Sequence, residues 1–206
     1  MPAAPRQNRV DPFGRLIADA ARGAWLGNRG CLHDESGRIR RQSQLRRWIY
    51  CLLAFKGRRR AIMQPGRYTE LFFLDEPTAL AAGHRPCAEC QRRRYNEFRS
   101  AWRGEADEPL PSADELDRAL QAERVDASND KVTFEATLGD LPDGVMVIGE
   151  DGRPALIWAG RLRPWTPSGY EAGTALPAGA SVQVLTPRST VRAFADGFEV
   201  RAAASD

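Results

Sequence analysis

The sequence predicts an α+β fold: a small sheet with helices forms a basic N-terminal module, and a β-rich half follows it. Three observations predict this. Short apolar runs bounded by turn residues alternate with helix-start signals up to about residue 103. Beyond residue 127 the chain is a series of short β-type runs punctuated by Pro-Asp-Gly, Asp-Gly and Ser-Gly turns. The charge also divides along the same line. The formal net charge of +3 conceals +12 over residues 1–103 and −9 over residues 104–206. The expected organisation is therefore a basic domain over 1–103, an acidic linker and connecting helix over 104–126, and an acidic β-rich subdomain over 127–206.

The first nine residues read as a loose arm, and residues 16–26 as a strand ending in the turn Gly27-Asn28-Arg29-Gly30. A polar loop over 34–44 carries Arg38, Arg40 and Arg41. Residues 48–55 read as a buried strand, 56–60 as a basic turn, 61–63 as the return, and 68–74 as a further aromatic-rich β run. Asp75-Glu76-Pro77 opens a short helix, because an acidic start with proline in the first turn suits the unsatisfied N–H groups there, and Gly83 ends it. A second helix is expected from Cys87–Glu89 to Trp102, with Tyr95, Phe98 and Trp102 on one apolar stripe. Ser112 and Glu115 form a capping-box pattern that opens a helix to about Val125. Strands are expected near 132–136, 145–148, 155–158 and 182–185, and a last helix over 189–195.

Ordinary soluble composition, with 42% hydrophobic and 28% charged residues, is sufficient for a core, and no apolar run is long enough to span a bilayer. The first residues lack the apolar stretch of a secretory signal, so a cytoplasmic location is expected. Four cysteines in such a chain suggest metal binding or catalysis rather than a disulfide framework. Cys87 and Cys90 are separated by two residues, a spacing that lets both thiolates reach one tetrahedral zinc ion. Cys51, His33 and Cys31 are the candidates for the remaining ligands; Cys31 and His33 would share a face of an extended segment. A redox dithiol and cysteines that are merely buried are the rival readings.

The excess of positive charge in the first half suits a polyanion, most plausibly nucleic acid, with Arg58, Arg59, Arg60, Arg92, Arg93 and Arg94 as candidate phosphate contacts. The competing reading is that the two oppositely charged halves pack against and neutralise each other. No Ser-His-Asp arrangement, phosphate-binding glycine loop or magnesium-type carboxylate cluster is evident, so a catalytic role has no named residues.

The run Leu71-Phe72-Phe73-Leu74-Asp75-Glu76-Pro77-Thr78-Ala79-Leu80-Ala81-Ala82-Gly83-His84-Arg85-Pro86-Cys87-Ala88-Glu89-Cys90 resembles the second half of the zinc-binding domain of Ada-type DNA methylphosphotriester repair proteins. Gly27 to His33 is similar to the strand bringing in that family's first ligand, and the chain as a whole resembles a bacterial protein family. The resemblance implies a zinc-stabilised fold and a link to DNA repair or regulation. It also implies that a zinc thiolate could accept a methyl group. The chain departs from the pattern in having His84 where an aromatic residue stands, and in having no Cys-x-x-x-Cys or His-x-x-x-Cys pair after Cys31 or His33. Three functions are therefore carried forward: a zinc-stabilised nucleic-acid-binding protein, a zinc-thiolate methyl acceptor or other nucleic-acid-processing enzyme, and a structural or partner-binding protein.

Overall fold

A computed structural model describes residues 4–57, 61–104 and 107–204. It contains both sheets and helices, as an α+β fold requires. The first sheet is formed by β1 (Gln7–Val10), β2 (Leu16–Ala18), β3 (Trp25–Asn28), β4 (Ile49–Leu52), β5 (Leu71–Phe73) and β6 (Arg85–Pro86), in the order β2-β1-β5-β3-β4-β6. From Gln7 onward the arm expected to be loose is thus a strand with two partners. β1 pairs antiparallel with β2 and parallel with β5, and it buries Asn8 and Val10. The single strand expected over 16–26 is two strands joined by a connection. The expected turn at Gly27 is strand instead: β3 runs through Asn28, with Gly27 opposite Leu71 of β5 and Tyr50 of β4. A Cβ at Gly27 would lie 2.4 Å from Cε2 of Phe73, so only glycine lets that buried ring lie against the strand.

Helix α1 (Glu76–Ala81) begins as the sequence indicates. Asp75 is its N-cap, accepting from the Thr78 backbone N–H, and Gly83 follows its end with a positive φ. Helix α2 (Arg92–Arg103) starts later than expected, because residues 87–91 form a thiol-bearing turn. Helix α3 (Ala113–Arg124) has both halves of the capping box: Ser112 accepts from the Glu115 N–H, and Glu115 accepts from the Ser112 N–H.

The second sheet is antiparallel and contains β7 (Phe134–Thr137), β8 (Met146–Ile148), β9 (Pro154–Trp158), β10 (Arg161–Thr166), β11 (Gly169–Tyr170), β12 (Thr174–Ala175) and β13 (Ser181–Val184). Helix α4 (Arg188–Ala195) closes the chain's secondary structure. One buried cluster includes Tyr50, Phe73 and Phe98 from the basic half together with Leu116, Val147, Val184 and Phe194 from the acidic half. Phe98 of α2 meets Phe198 edge-on at 5.3 Å between centroids. Ion pairing joins the halves too. Arg85 of β6 and Asp117 of α3 form a buried bidentate pair, each bond 2.8 Å long. No helix among the described residues is long and apolar enough to cross a membrane.

Candidate metal centre

Strand register brings together two cysteines that are 36 residues apart. β4 and β6 run parallel, with Tyr50 beside Pro86, so the next residues along, Cys51 and Cys87, are neighbours. The ladder continues past β6, where the Cys87 N–H donates to the Tyr50 carbonyl at 3.0 Å. The chain then turns, the Gln91 N–H reaching back to the Cys87 carbonyl at 3.1 Å, and this turn carries Cys90 to the same point. Gln91 fastens the turn to the sheet by donating its side-chain amide to the Tyr50 carbonyl at 2.8 Å. As a result the sulfurs of Cys51, Cys87 and Cys90 all lie within 4.8 Å of one another, a group of donors able to hold a metal ion.

The hydrogen bonding around these sulfurs already favours negative charge. The Glu89 N–H points to Cys87 Sγ at 3.4 Å. The Cys51 thiol, then the Cys90 thiol, hydrogen-bonds to Cys87 and holds its pKa far below the ordinary thiol value. The hydrogen bond to Cys87, then that to Cys90, and then burial push Cys51 up. Cys90 is drawn down by Cys51 but raised on balance by Cys87 and by burial. Hydrogen bonds from its two neighbours thus favour the thiolate form of Cys87. A divalent ion would displace the remaining protons, since thiolate rather than thiol is the ligand.

One wall of a groove of about 480 Å³ carries these sulfurs, with Leu52, Leu53, Phe55, Ile62 and Phe72 among its apolar lining. Leu52, Leu53 and Ile62 are exposed.

Cys31 and His33 are not brought to this group. Cys51 sits opposite Leu26, near the start of β3, whereas Cys31 lies beyond the strand's far end, where Asn28 faces Ile49. The thiol of Cys31 turns to the His33 carbonyl at 3.6 Å. His33 is buried with both ring nitrogens engaged: Nε2 donates to the Gln64 carbonyl at 3.2 Å, and Nδ1 accepts from the Thr69 hydroxyl at 2.7 Å. The carbonyl can only accept, and this fixes the tautomer. Cys31 and His33 thus engage partners of their own, apart from the three sulfurs.

Among the candidate phosphate contacts, Arg58, Arg59 and Arg60 lie outside the described residues. Arg92 is exposed at the start of α2. Arg93 pairs with Glu97 at 3.2 Å. Arg94 is committed to the interior, bound to Glu76 at 2.7 Å, to Glu97, and to the Glu199 carbonyl. Sequence reasoning gave less weight to the loop between β3 and β4, where Arg38, Arg40, Arg41, Arg46 and Arg47 are all exposed. Among the described residues none of these five pairs with a carboxylate. It missed the buried arginines Arg29 and Arg124, which stack on Trp48. The signal available for the first was its glycine-flanked position next to β3; none pointed to Arg124. No protein-family model, curated protein or solved structure matches the chain, so the three sulfurs and their surroundings are what its function is read from.

Proposed function

We propose that this protein is a zinc-stabilised nucleic-acid-binding module in which Cys51, Cys87 and Cys90 hold one zinc ion. The observation that carries the reading is the convergence of three sulfurs from two segments, in a chain with no disulfide among them. Zinc–thiolate bonds of about 2.3 Å place tetrahedral sulfurs about 3.8 Å apart. The three sulfurs, within 4.8 Å, need to contract by about an ångström at most. A thiolate-only donor set favours zinc over magnesium or calcium, which take oxygen. The ion would tie β4 to the turn before α2, and so fix the end of the strand that the arginine loop enters. That loop, with its five exposed guanidiniums, supports the nucleic-acid part of the reading.

Metal quantification on the purified chain tests the centre. About one zinc per chain is expected, lost in Cys51→Ser, Cys87→Ser and Cys90→Ser and kept in Cys31→Ser and His33→Ala. Zinc retained at full stoichiometry in all three of the first variants would overturn it. For the interface, the affinity for a labelled oligonucleotide should fall with salt, and Arg38→Ala/Arg40→Ala/Arg41→Ala should make that dependence about three units shallower for three phosphates released. No binding at low salt would remove the nucleic-acid role.

A second reading is favoured by the groove. Three protein sulfurs leave a fourth zinc position, and an apolar channel lies beside it. In this reading a thiolate sulfur attacks an alkyl carbon; the S–C bond forms as the leaving group departs with its electron pair. A mass gain of one methyl group on Cys51, Cys87 or Cys90 after exposure to methylated DNA would establish it, and an unmodified chain would exclude it.

A further inference from the structure

On the far side of β4's entry, away from the sulfurs, Trp48 is buried with two guanidiniums on its ring. The Cζ of Arg29 lies 3.9 Å from the ring centroid and that of Arg124 lies 4.0 Å away. Both arginines are at most 1% exposed. Arg29 donates Nε to His84 Nε2 at 3.1 Å and Nη1 to the Gly14 carbonyl at 2.8 Å, but its buried Nη2 has no partner among the described residues. Arg124 donates Nη1 to the Gly83 carbonyl and Nη2 to the Arg46 carbonyl and Gln121, and its Nε is likewise unpartnered. Lys131 directs its ammonium group to the Ala81 carbonyl.

Among the described residues these three cations have no carboxylate bound to them. Asp11, whose charge acts on Arg29 and Lys131, is held by Arg15 at 2.8 Å, and Asp117, whose charge acts on Arg124, is held by Arg85. The imbalance is felt by the groups themselves. Burial, then Arg124, brings Arg29 down to about 9; burial does the same to Arg124; and burial, Arg29 and Arg124 bring Lys131 down to about 7. Arg29, Arg124 and Lys131 line a cavity of about 430 Å³. Ser43 and Asn129 also line it, and exposed Asp130 is the one carboxylate in its wall among the described residues. Gly14 leaves the space before Arg29 open: a side chain there would begin 3.7 Å from the unpartnered Nη2.

Uncompensated buried charge of this kind is costly, and its usual resolution is an ion of opposite sign. Two guanidinium forks and an ammonium around one cavity match a small, multiply charged oxyanion better than a single carboxylate. We infer that the cavity between Gly14, Arg29, Arg124 and Lys131 is a binding site for a phosphate group. The phosphate is either free or the terminal phosphate of a nucleic acid, whose following backbone would lie against the arginine loop. The site does not depend on the sulfur centre, and its phosphate chemistry does not depend on the proposed nucleic-acid role.

The test titrates inorganic phosphate into the full zinc-loaded chain by calorimetry, with chloride at matched ionic strength as the control. One phosphate per chain is expected, with a rise in melting temperature that chloride does not give. Lys131→Gln should weaken phosphate binding about tenfold or more. It should also leave the unliganded chain about as stable, because it removes a half-buried charge with no carboxylate beside it and keeps a donor for the Ala81 carbonyl. Arg38→Ala/Arg40→Ala/Arg41→Ala should leave the inorganic phosphate titration unchanged, so failure of the nucleic-acid reading is visible separately. Competition by a 5′-phosphorylated oligonucleotide but not its 5′-hydroxyl counterpart would identify a nucleic-acid end as a source. Equal competition by both oligonucleotides, no saturable heat with millimolar phosphate, or identical binding by wild type and Lys131→Gln would overturn the inference.

Discussion

Replacing Asp117 by alanine gives the most direct test of how the two halves are held together. Its carboxylate accepts from Arg85 Nε and Nη2, both at 2.8 Å, and the two side chains are 7% and 2% exposed. With the carboxylate gone, Arg85 keeps only its bond to the Pro86 carbonyl at 3.2 Å and its position over the Tyr95 ring. A buried charge left without its partner costs about 3–5 kcal/mol. The same carboxylate favours the charged form of Arg124, so the loss is felt by a second guanidinium. For a chain of this length, each kcal/mol moves the melting temperature by about 2–4 °C, which gives a fall of roughly 6–20 °C. Urea unfolding followed by tryptophan fluorescence would measure it. The double variant Arg85→Met/Asp117→Leu leaves no charge at the pair and should recover part of the loss; Arg124 keeps the rest. A cost below about 1 kcal/mol for Asp117→Ala, as for a solvated surface pair, would refute this account. So would a double variant as unstable as the sum of the two single changes.

Gly27→Ala should destabilise by about 1–3 kcal/mol, because the new methyl group overlaps Phe73 and neither strand beside it can move freely; unchanged unfolding would show that the ring can move aside. For pH, Lys131 has a folded pKa near 7 and an unfolded value of 10.5, so the unfolded chain binds more protons between them and stability rises with pH. The rise from pH 7 to 8 should flatten in Lys131→Gln, as Arg29 and Arg124, at about 9, add most of their own contribution above pH 8. Chemical denaturation at several pH values would show an undiminished slope if the assignment is wrong.

The sequence revealed most where the signal is local. Asp75 and Pro77, Ser112 and Glu115, and the spacing of Cys87 and Cys90 each act within one turn of chain, and each is found where its residue type indicates. The apolar stripe of α2 likewise buries Tyr95 and Phe98. What escaped depends on register and distance. Whether Cys51 rather than Cys31 meets the Cys87–Cys90 turn is set by the parallel pairing of β4 with β6, and β6 has only two residues. Arg29, Arg85 and Arg124 look like surface charge in the sequence, yet each is buried with partners 15 to 78 positions away. β10 was missed because Arg161, Arg163 and Pro164 interrupt its apolar run, although its first four residues pair with β9.

The carboxylates of Asp75 and Glu76 also set an order of events during synthesis. Both are buried, and their partners are the Tyr170 hydroxyl and the backbone N–H groups of Arg201 and Ala203, together with Arg94. A ribosome-bound chain that has released only its first hundred residues exposes α1 with two acidic groups that the finished fold removes from water. The helix has to remain hydrated, or be shielded by another protein, until Arg201 and Ala203 have emerged. Closure over α1 is therefore a late step, made when residues 199–203 return to a helix synthesised more than a hundred residues earlier.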